Sequence, residues 1–301
     1  KSRALDRGKM MNYIDSIIQT GHTNRITAIA VIDDRRFVTA SRDKSLKIWD
    51  ANTGEKIKTL TGESPINCIA MLTDDLIVTG NDNAMIIVRN IDTGDEIIKH
   101  DCYALRSRNL VLSGRSGENR AAPISIAVIN PDTVVFGSGN GSVKIWDIAS
   151  DKIHVLSPGS QSWISSPYTT RNPPPDTEMP HDTEERVTEY KVSFDENDLD
   201  SDIGHCDLVN CIIVINSHTI ISGSAGWRLD DEDDHRDYGE MIIWDTNSGN
   251  VIKKLDGHTE PITTIAKINE NMIISGSYDG SIIIWDFKSG EKIKTLFNPT
   301  I

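Results

Sequence analysis

Five stretches of the 301-residue sequence are variants of one phrase, and their spacing constrains the fold more than any other feature. They are "SLKIWDANTGEKIKTL" (45–60), "MIIVRNIDTGDEIIKH" (85–100), "SVKIWDIASDKIHVL" (142–156), "MIIWDTNSGNVIKKL" (241–255) and "SIIIWDFKSGEKIKTL" (281–296). Gly-His marks precede three of them, at Gly21-His22, Gly204-His205 and Gly257-His258. His22 stands 27 residues before Trp49, and His258 stands 27 before Trp285. Trp49 to Arg89 is 40 residues and Trp244 to Trp285 is 41. A period of this length means a repeat architecture, in which each unit buries its apolar surface against its neighbours.

Within one unit the pattern alternates apolar and polar residues in four short runs, as in "RITAIAVI", "RFVTA", the Trp run and "KIKTL". Turn residues such as "DDR", "RDK" and "TGE" separate them. Period-two alternation bounded by such turns predicts four antiparallel strands. A small sheet of that kind has two apolar faces, and radial stacking of such sheets covers both.

The Gly-His and Trp-Asp marks at this period resemble the WD-repeat family, over about residues 13–297. The resemblance implies an all-β WD40 propeller, one domain over 1–301. Five blades are recognisable, at about 21–60, 62–100, 120–156, 204–256 and 257–297. It also implies a hydrogen-bonded tetrad in each regular blade: His22, Thr39, Asp43 and Trp49 in the first, and His258, Ser275, Asp279 and Trp285 in the last. A buried Trp N–H needs an acceptor, and a Ser or Thr hydroxyl linked through His to a carboxylate provides one. His, Ser and Asp also form hydrolase triads, but here the set recurs with a Trp in each regular blade, which is scaffold. Blade 2 departs from the pattern, with Glu63, Thr79, Asn83 and Arg89 at the tetrad positions. Its Glu and Arg form a substitute ion pair, or the blade is weak and Arg89 is exposed. Blade 3 has Asn140 for Asp and no matching His.

The regular spacing locates insertions. Ser222 to Trp244 is 22 residues where Ser275 to Trp285 is 10, so blade 4 carries 12 extra residues. Trp146 to His205 is 59 against 14 for Trp244 to His258. Arg89 to Trp146 is 57, which puts roughly 16 extra residues in about 101–122. In the family these loops lie on one face, the usual partner-binding top. Segment 157–203 has 11 acids and 3 bases, and segment 225–240 has 7 acids and 2 bases. Together they carry nearly all of the chain's net charge of −14. The insertion before blade 3 is basic, with Arg106, Arg108, Arg115 and Arg120 against Glu118. Pro-rich "RNPPPDTEMPHD" (171–182) argues against a further blade, so 157–203 is expected to be a long, partly disordered loop.

A concentrated acidic rim attracts cationic partners. The expected function is therefore a non-catalytic scaffold that binds a protein or peptide of basic character on the top face. By resemblance, the contact positions are Arg25, Thr27, Arg42, Asn67, Asp82, Asn210, Thr263 and Tyr278. To these the acid run adds Asp230, Asp231, Glu232, Asp233 and Asp234. Tyr278 is the expected apolar anchor, and Arg25 with Arg42 could hold a phosphate or carboxylate. The alternative is a sensor, targeting or substrate-receptor module of a larger signalling or ubiquitin-ligase protein.

The net acidity argues against nucleic acid as a partner. No apolar run approaches the ~18 residues of a membrane span. Four cysteines are too few for a disulfide framework, which fits a reducing, cytoplasmic location. No cofactor or metal is expected: "DLDSDIG" (198–204) has alternating Asp but lacks Gly at the sixth position and the closing Glu at the twelfth position of a calcium loop. His205, Cys206, Cys211 and His218 could suggest zinc, but His205 belongs to a tetrad position and Cys211 falls in an apolar strand. "NYIDSIIQT" (12–20) resembles an outer strand of a preceding blade and is surplus to five, so the ring closes irregularly or belongs to a longer array.

Overall fold

The computed structural model describes residues 21–102, 122–156, 163–165, 170–171, 205, 208–227 and 237–297. These residues form strands and turns, with no helix among them. Blade 1 comprises β1 (Ile26–Val31), β2 (Arg36–Ser41), β3 (Ser45–Asp50) and β4 (Lys56–Thr61). Blade 2 comprises β5 (Ile66–Met71), β6 (Leu76–Asn81), β7 (Met85–Asn90) and β8 (Glu96–Asp101). Blade 3 comprises β9 (Pro123–Asn130), β10 (Thr133–Ser138), β11 (Val143–Asp147) and β12 (Lys152–Leu156), followed by two short strands, β13 (Trp163–Ser165) and β14 (Thr170–Arg171). Blade 4 comprises β15 (Val209–Asn216), β16 (Thr219–Trp227), β17 (Asp237–Asp245) and β18 (Val251–Asp256). Blade 5 comprises β19 (Ile262–Lys267), β20 (Met272–Ser277), β21 (Ser281–Asp286) and β22 (Glu291–Phe297).

Every blade is an antiparallel meander, its four strands paired in chain order. The first strands pack side by side in the order β1, β5, β9, β15, β19, so they line the inside of an arc. Each first strand has a bulge near its start, for example between Ile26 and Ala28 and between Ile262 and Thr264. Four apolar cores lie between successive blades. The first joins Leu46 and Ile48 of blade 1 to Ile66 and Ile77 of blade 2, and the last joins Met241 and Leu255 of blade 4 to Ile262 and Trp285 of blade 5.

The "WD" and "TGE" marks have a local cause. The Asp50 carboxylate accepts from the N–H groups of Asn52 and Thr53, closing the turn to the fourth strand. Asn90 does the same for Asp92 and Thr93, so its replacement of Asp is conservative. Those turns need a left-handed residue, which is Gly54, Gly94, Gly249 or Gly290 in four blades. In blade 3 it is Asp151, at φ 55°.

The insertions are used in a way the spacing does not reveal. The chain leaving blade 3 turns back along its outer edge, where β13 pairs with β12. It then reaches blade 2, where Thr170 pairs with Lys99 and Arg171 with Ile98. The described part of this insertion thus lies on the rim of blades 2 and 3, not over the top. The extra residues of blade 4 lengthen a hairpin, with pairing continued to Trp227 and Asp237. Segments 12–20, 103–121 and 172–204, with the readings placed on them, lie outside the described residues.

Candidate partner-binding face

The top face rests on the tetrads. In blade 1 the Trp49 Nε1–H donates to Thr39 Oγ1 at 2.8 Å, Thr39 Oγ1 lies 2.7 Å from His22 Nε2, and His22 Nδ1 lies 2.9 Å from Asp43 Oδ2. In blade 5 the same links run Trp285, Ser275, His258, Asp279 at 2.8, 2.8 and 2.9 Å. Burial works to raise the pKa of Asp279. Hydrogen bonds from Ser281, His258 and the Thr259 N–H outweigh it and hold the carboxyl at about 2.

Blade 4 has a full tetrad that spacing alone does not predict. Trp244 Nε1 donates to Ser222 Oγ at 2.7 Å, Ser222 Oγ lies 2.6 Å from His205 Nε2, and His205 Nδ1 lies 3.0 Å from Glu240 Oε2. Glu240 is on the third strand, at the position of Ser45 and Ser281, four residues before the Trp. Its longer side chain reaches the histidine that a turn Asp reaches in the regular blades. Burial opposes its ionisation, but His205 and Lys254 lower its pKa overall.

Blades 2 and 3 correct the sequence reading. Glu63 does not pair with Arg89; it pairs with Lys99 at 3.3 Å. Nor is Arg89 exposed: it is buried, paired with Glu96, and donates to the Thr61 carbonyl of blade 1 at 3.2 Å. A guanidinium in the Trp position needs a carboxylate nearby, and the adjacent strand supplies one. In blade 3 Phe136 stands where other blades place Ser or Thr, so the Trp146 Nε1–H turns to Asp151 Oδ1 at 3.2 Å. The His100 ring of blade 2 lies tilted against Trp146, with ring centroids 5.3 Å apart, and 3.5 Å from Asp151. The signal for Asp151 was the "SDK" at 150–152, which breaks the "SGE" pattern.

The expected contact residues divide into two groups. Thr27 Oγ1 donates to the Ile66 carbonyl at 2.7 Å, Asn67 Nδ2 to Pro123 at 3.3 Å, and Asn210 Nδ2 to Ile262 at 3.0 Å. Ser125, not singled out by sequence, donates to the Val209 carbonyl at 2.7 Å. These side chains clasp each blade to the next. Thr263 bonds within its own blade, to the Gly276 carbonyl at 3.0 Å. Arg42 and Asp82 hold equivalent positions on adjacent blades and pair with each other at 2.6 Å. Arg25 is exposed, and Tyr278 is 75% exposed at the top of blade 5. Asp230, Asp231, Glu232, Asp233 and Asp234 lie outside the described residues. The hairpin that carries them leans on blade 5, where Gly239 approaches the Glu260 backbone and His258. Among the described residues no cluster of three metal-ligating side chains occurs, and no helix is long and apolar enough to cross a membrane.

Comparison with known proteins agrees with this geometry. A family model described as WD domain, G-beta repeat matches residues 249–286, and one described as TEP-1 C-terminal beta-propeller matches 22–90. The chain is 22% identical over 252 residues to a WD repeat-containing protein 55 homolog of Dictyostelium discoideum, covering 83% of this chain and 44% of that protein. It is 25% identical over 265 residues to a ribosome biogenesis protein WDR12 homolog of Culex quinquefasciatus, covering 82% and 58%. The chain thus spans about half the length of these two relatives. The solved structure of U3-55K superposes with a TM-score of 0.60 at 17% identity, covering 92% of this chain and 65% of that one.

Proposed function

The chain belongs to the WD40-repeat family, and from that premise we propose that it is a non-catalytic scaffold that binds a basic protein or peptide on the top of blades 4 and 5. Propellers of this family generally bind proteins. One observation carries the finer reading: Tyr278 stands largely exposed on blade 5, its N–H bonded to the Pro261 carbonyl, and Gly239 of the lengthened blade 4 hairpin approaches the adjoining Glu260. An exposed aromatic on the blade that packs against this hairpin, whose sequence holds the acid run of 230–234, would combine an apolar anchor with an attractive field for cations. Arg42, by contrast, is already neutralised by Asp82, which argues for a contact centred away from blade 1. The decisive experiment is affinity capture from cell extract with the wild-type chain, Tyr278→Ala, and a variant in which residues 230–234 are all Asn or Gln. The same captured proteins should be lost from both variants. Capture unchanged in both would reject the site.

The relative named for ribosome biogenesis favours a narrower version, in which the basic partner is a ribosomal or ribosome-assembly protein. Enrichment of such proteins in the same capture would support it.

A further inference from the structure

The turn between the second and third strands of blade 3 holds Asn140-Gly141, the one Asn-Gly step in the sequence. It stands where blades 1 and 5 place Asp43 and Asp279. Asn140 keeps the local bonds of Asp43. Its Oδ1 accepts from the Ser142 N–H at 3.2 Å and from the Ser142 hydroxyl at 2.6 Å. Asp43 Oδ1 accepts from the same two groups of Ser45, at 3.0 and 2.6 Å. The difference lies at the second side-chain atom. Asp43 Oδ2 accepts from the Thr23 N–H at 3.0 Å and lies 2.9 Å from His22 Nδ1. Asn140 carries an amide nitrogen instead, and among the described residues no hydrogen bond holds it.

The same bonds prepare Asn140 for attack by its neighbour. A side chain bonded to the N–H two residues on folds its carbonyl back over the intervening amide, here that of Gly141. The two Ser142 donors polarise that carbonyl, and they face the oxygen on which charge develops as a nucleophile adds. Gly141 has no side chain to hinder the approach. Its N–H is held by the Ser138 carbonyl at 3.2 Å, the long end of the hydrogen-bond range. Asn140 is half-buried, so water reaches the turn.

The turn also borders a buried cation that has no carboxylate. Lys144 is 2% exposed, and its Nζ lies 3.4 Å from the Ser138 hydroxyl and 5.7 Å from the centre of the Phe136 ring. Among the described residues it makes no ion pair, and burial pushes its pKa down. Ser138 and Asn140 belong to one turn, closed by the Ser138 N–H on the Ser142 carbonyl at 3.0 Å. We propose that Asn140 is a self-modifying site whose product is aspartate. In the folded protein the Gly141 nitrogen attacks Asn140 Cγ, its proton leaves with the departing ammonia, and a succinimide forms. Water then adds at Cγ, the carbonyl that Ser142 polarises. The Cγ–N bond breaks and the main-chain N–H is restored. The new carboxylate takes the place of Asp43 and Asp279 in their turns, and it stands in the turn that borders Lys144.

The test incubates the wild-type chain at mildly alkaline pH, folded and in guanidinium. Trypsin then releases residues 121–144, and fragmentation mass spectrometry counts aspartate and isoaspartate at position 140. The folded chain should react roughly tenfold faster than the unfolded one, and Ser142→Ala should slow the folded chain alone. Aspartate should dominate in the folded chain. Isoaspartate should dominate in the unfolded one, where the main-chain carbonyl is the more electrophilic. Equal or slower reaction in the folded chain overturns the proposal, as does isoaspartate as its main product. Asn140→Asp, the product itself, gives a second measurement if Ser142→Ala does not fold. Its melting temperature should exceed that of wild type by about 2 °C or more, and Lys144→Met should abolish the gain. A melting temperature at or below wild type, or a gain that survives Lys144→Met, overturns the role given to the carboxylate.

Discussion

Glu240 and Asp151 show that a buried Trp N–H needs an acceptor network, but not a fixed residue to provide it. The regular tetrads were legible in the sequence because His, Ser or Thr, Asp and Trp keep constant spacing. Glu240 was not, because an insertion displaced the turn and a side chain on a different strand filled the role. Asp151 was hidden for a different reason: a glycine turn position acquired a carboxylate and kept the glycine's backbone conformation. His100, beside Asp151, carries a measurable consequence. Burial lowers its pKa from 6.5 to about 4, with Asp151 opposing. The unfolded chain therefore binds a proton on His100 that the folded chain refuses. Stability from this residue is intact above pH 6.5 and is lost as pH falls toward 4, at no more than about 1.4 kcal/mol per pH unit. Urea midpoints compared between pH 7 and 4.5 should fall less in His100→Gln than in wild type. Parallel loss in both would mean that His100 does not titrate in this window.

Among elements, the blade 4 hairpin is the one whose structural duty has moved. In blades 1 and 5 the tight turn supplies the tetrad carboxylate, so the turn cannot change freely. In blade 4 the carboxylate comes from β17, and the turn beyond Trp227 and Asp237 is released. Replacing residues 228–236 by Asn-Gly, which suits a two-residue hairpin turn, should leave the melting temperature within about 2 °C of wild type. Glu240→Ala should instead cost about 2–3 kcal/mol by removing the carboxylate that His205 and Lys254 share. Thermal and urea unfolding of both variants would check this. Strand order and blade phrasing were readable because period-two runs recur between fixed turns. The pairings of β13 and β14 were not, because two or three residues carry no period and their place depends on which edges are open. The outer strands left open, β4, β18 and β22, carry Lys56 and Lys58, Lys253 and Lys254, and Lys292 and Lys294. Lysines on an edge discourage further pairing.

At the scale of the molecule, charge and closure behave differently. Charge was legible: the acidity is confined to insertions, and the scaffold between them is close to neutral. A partner drawn by that acidity should lose association rate as salt rises from roughly 0.05 to 0.5 M, because the Debye length falls to a few Å. Its dissociation rate should change much less. Surface-immobilised chain and stopped-flow or biosensor kinetics across that range would show it, and a salt-independent on-rate would argue for an apolar contact alone. Closure was not legible, because repeats count the blades present and are silent on what covers the two at the ends. Ile26 and Ile29 of blade 1 and Ile282 of blade 5 are exposed where Ile66, Ile69 and Leu46 at the same places are buried, and only packing reveals that difference.

The return of the chain from blade 3 to the edge of blade 2 also sets a schedule. Thr170 pairs with Lys99, which leaves the ribosome about 70 residues earlier. At roughly 5–20 residues per second that separation is roughly 4–14 s, whereas a hairpin forms in microseconds. Blade 2 is therefore folded for seconds before its last strand exists. During that interval the backbone of Ile98 and Lys99 is an open template, available to any other strand emerging nearby. The fifth strand closes this window, so the insertion acts in synthesis as a delayed latch.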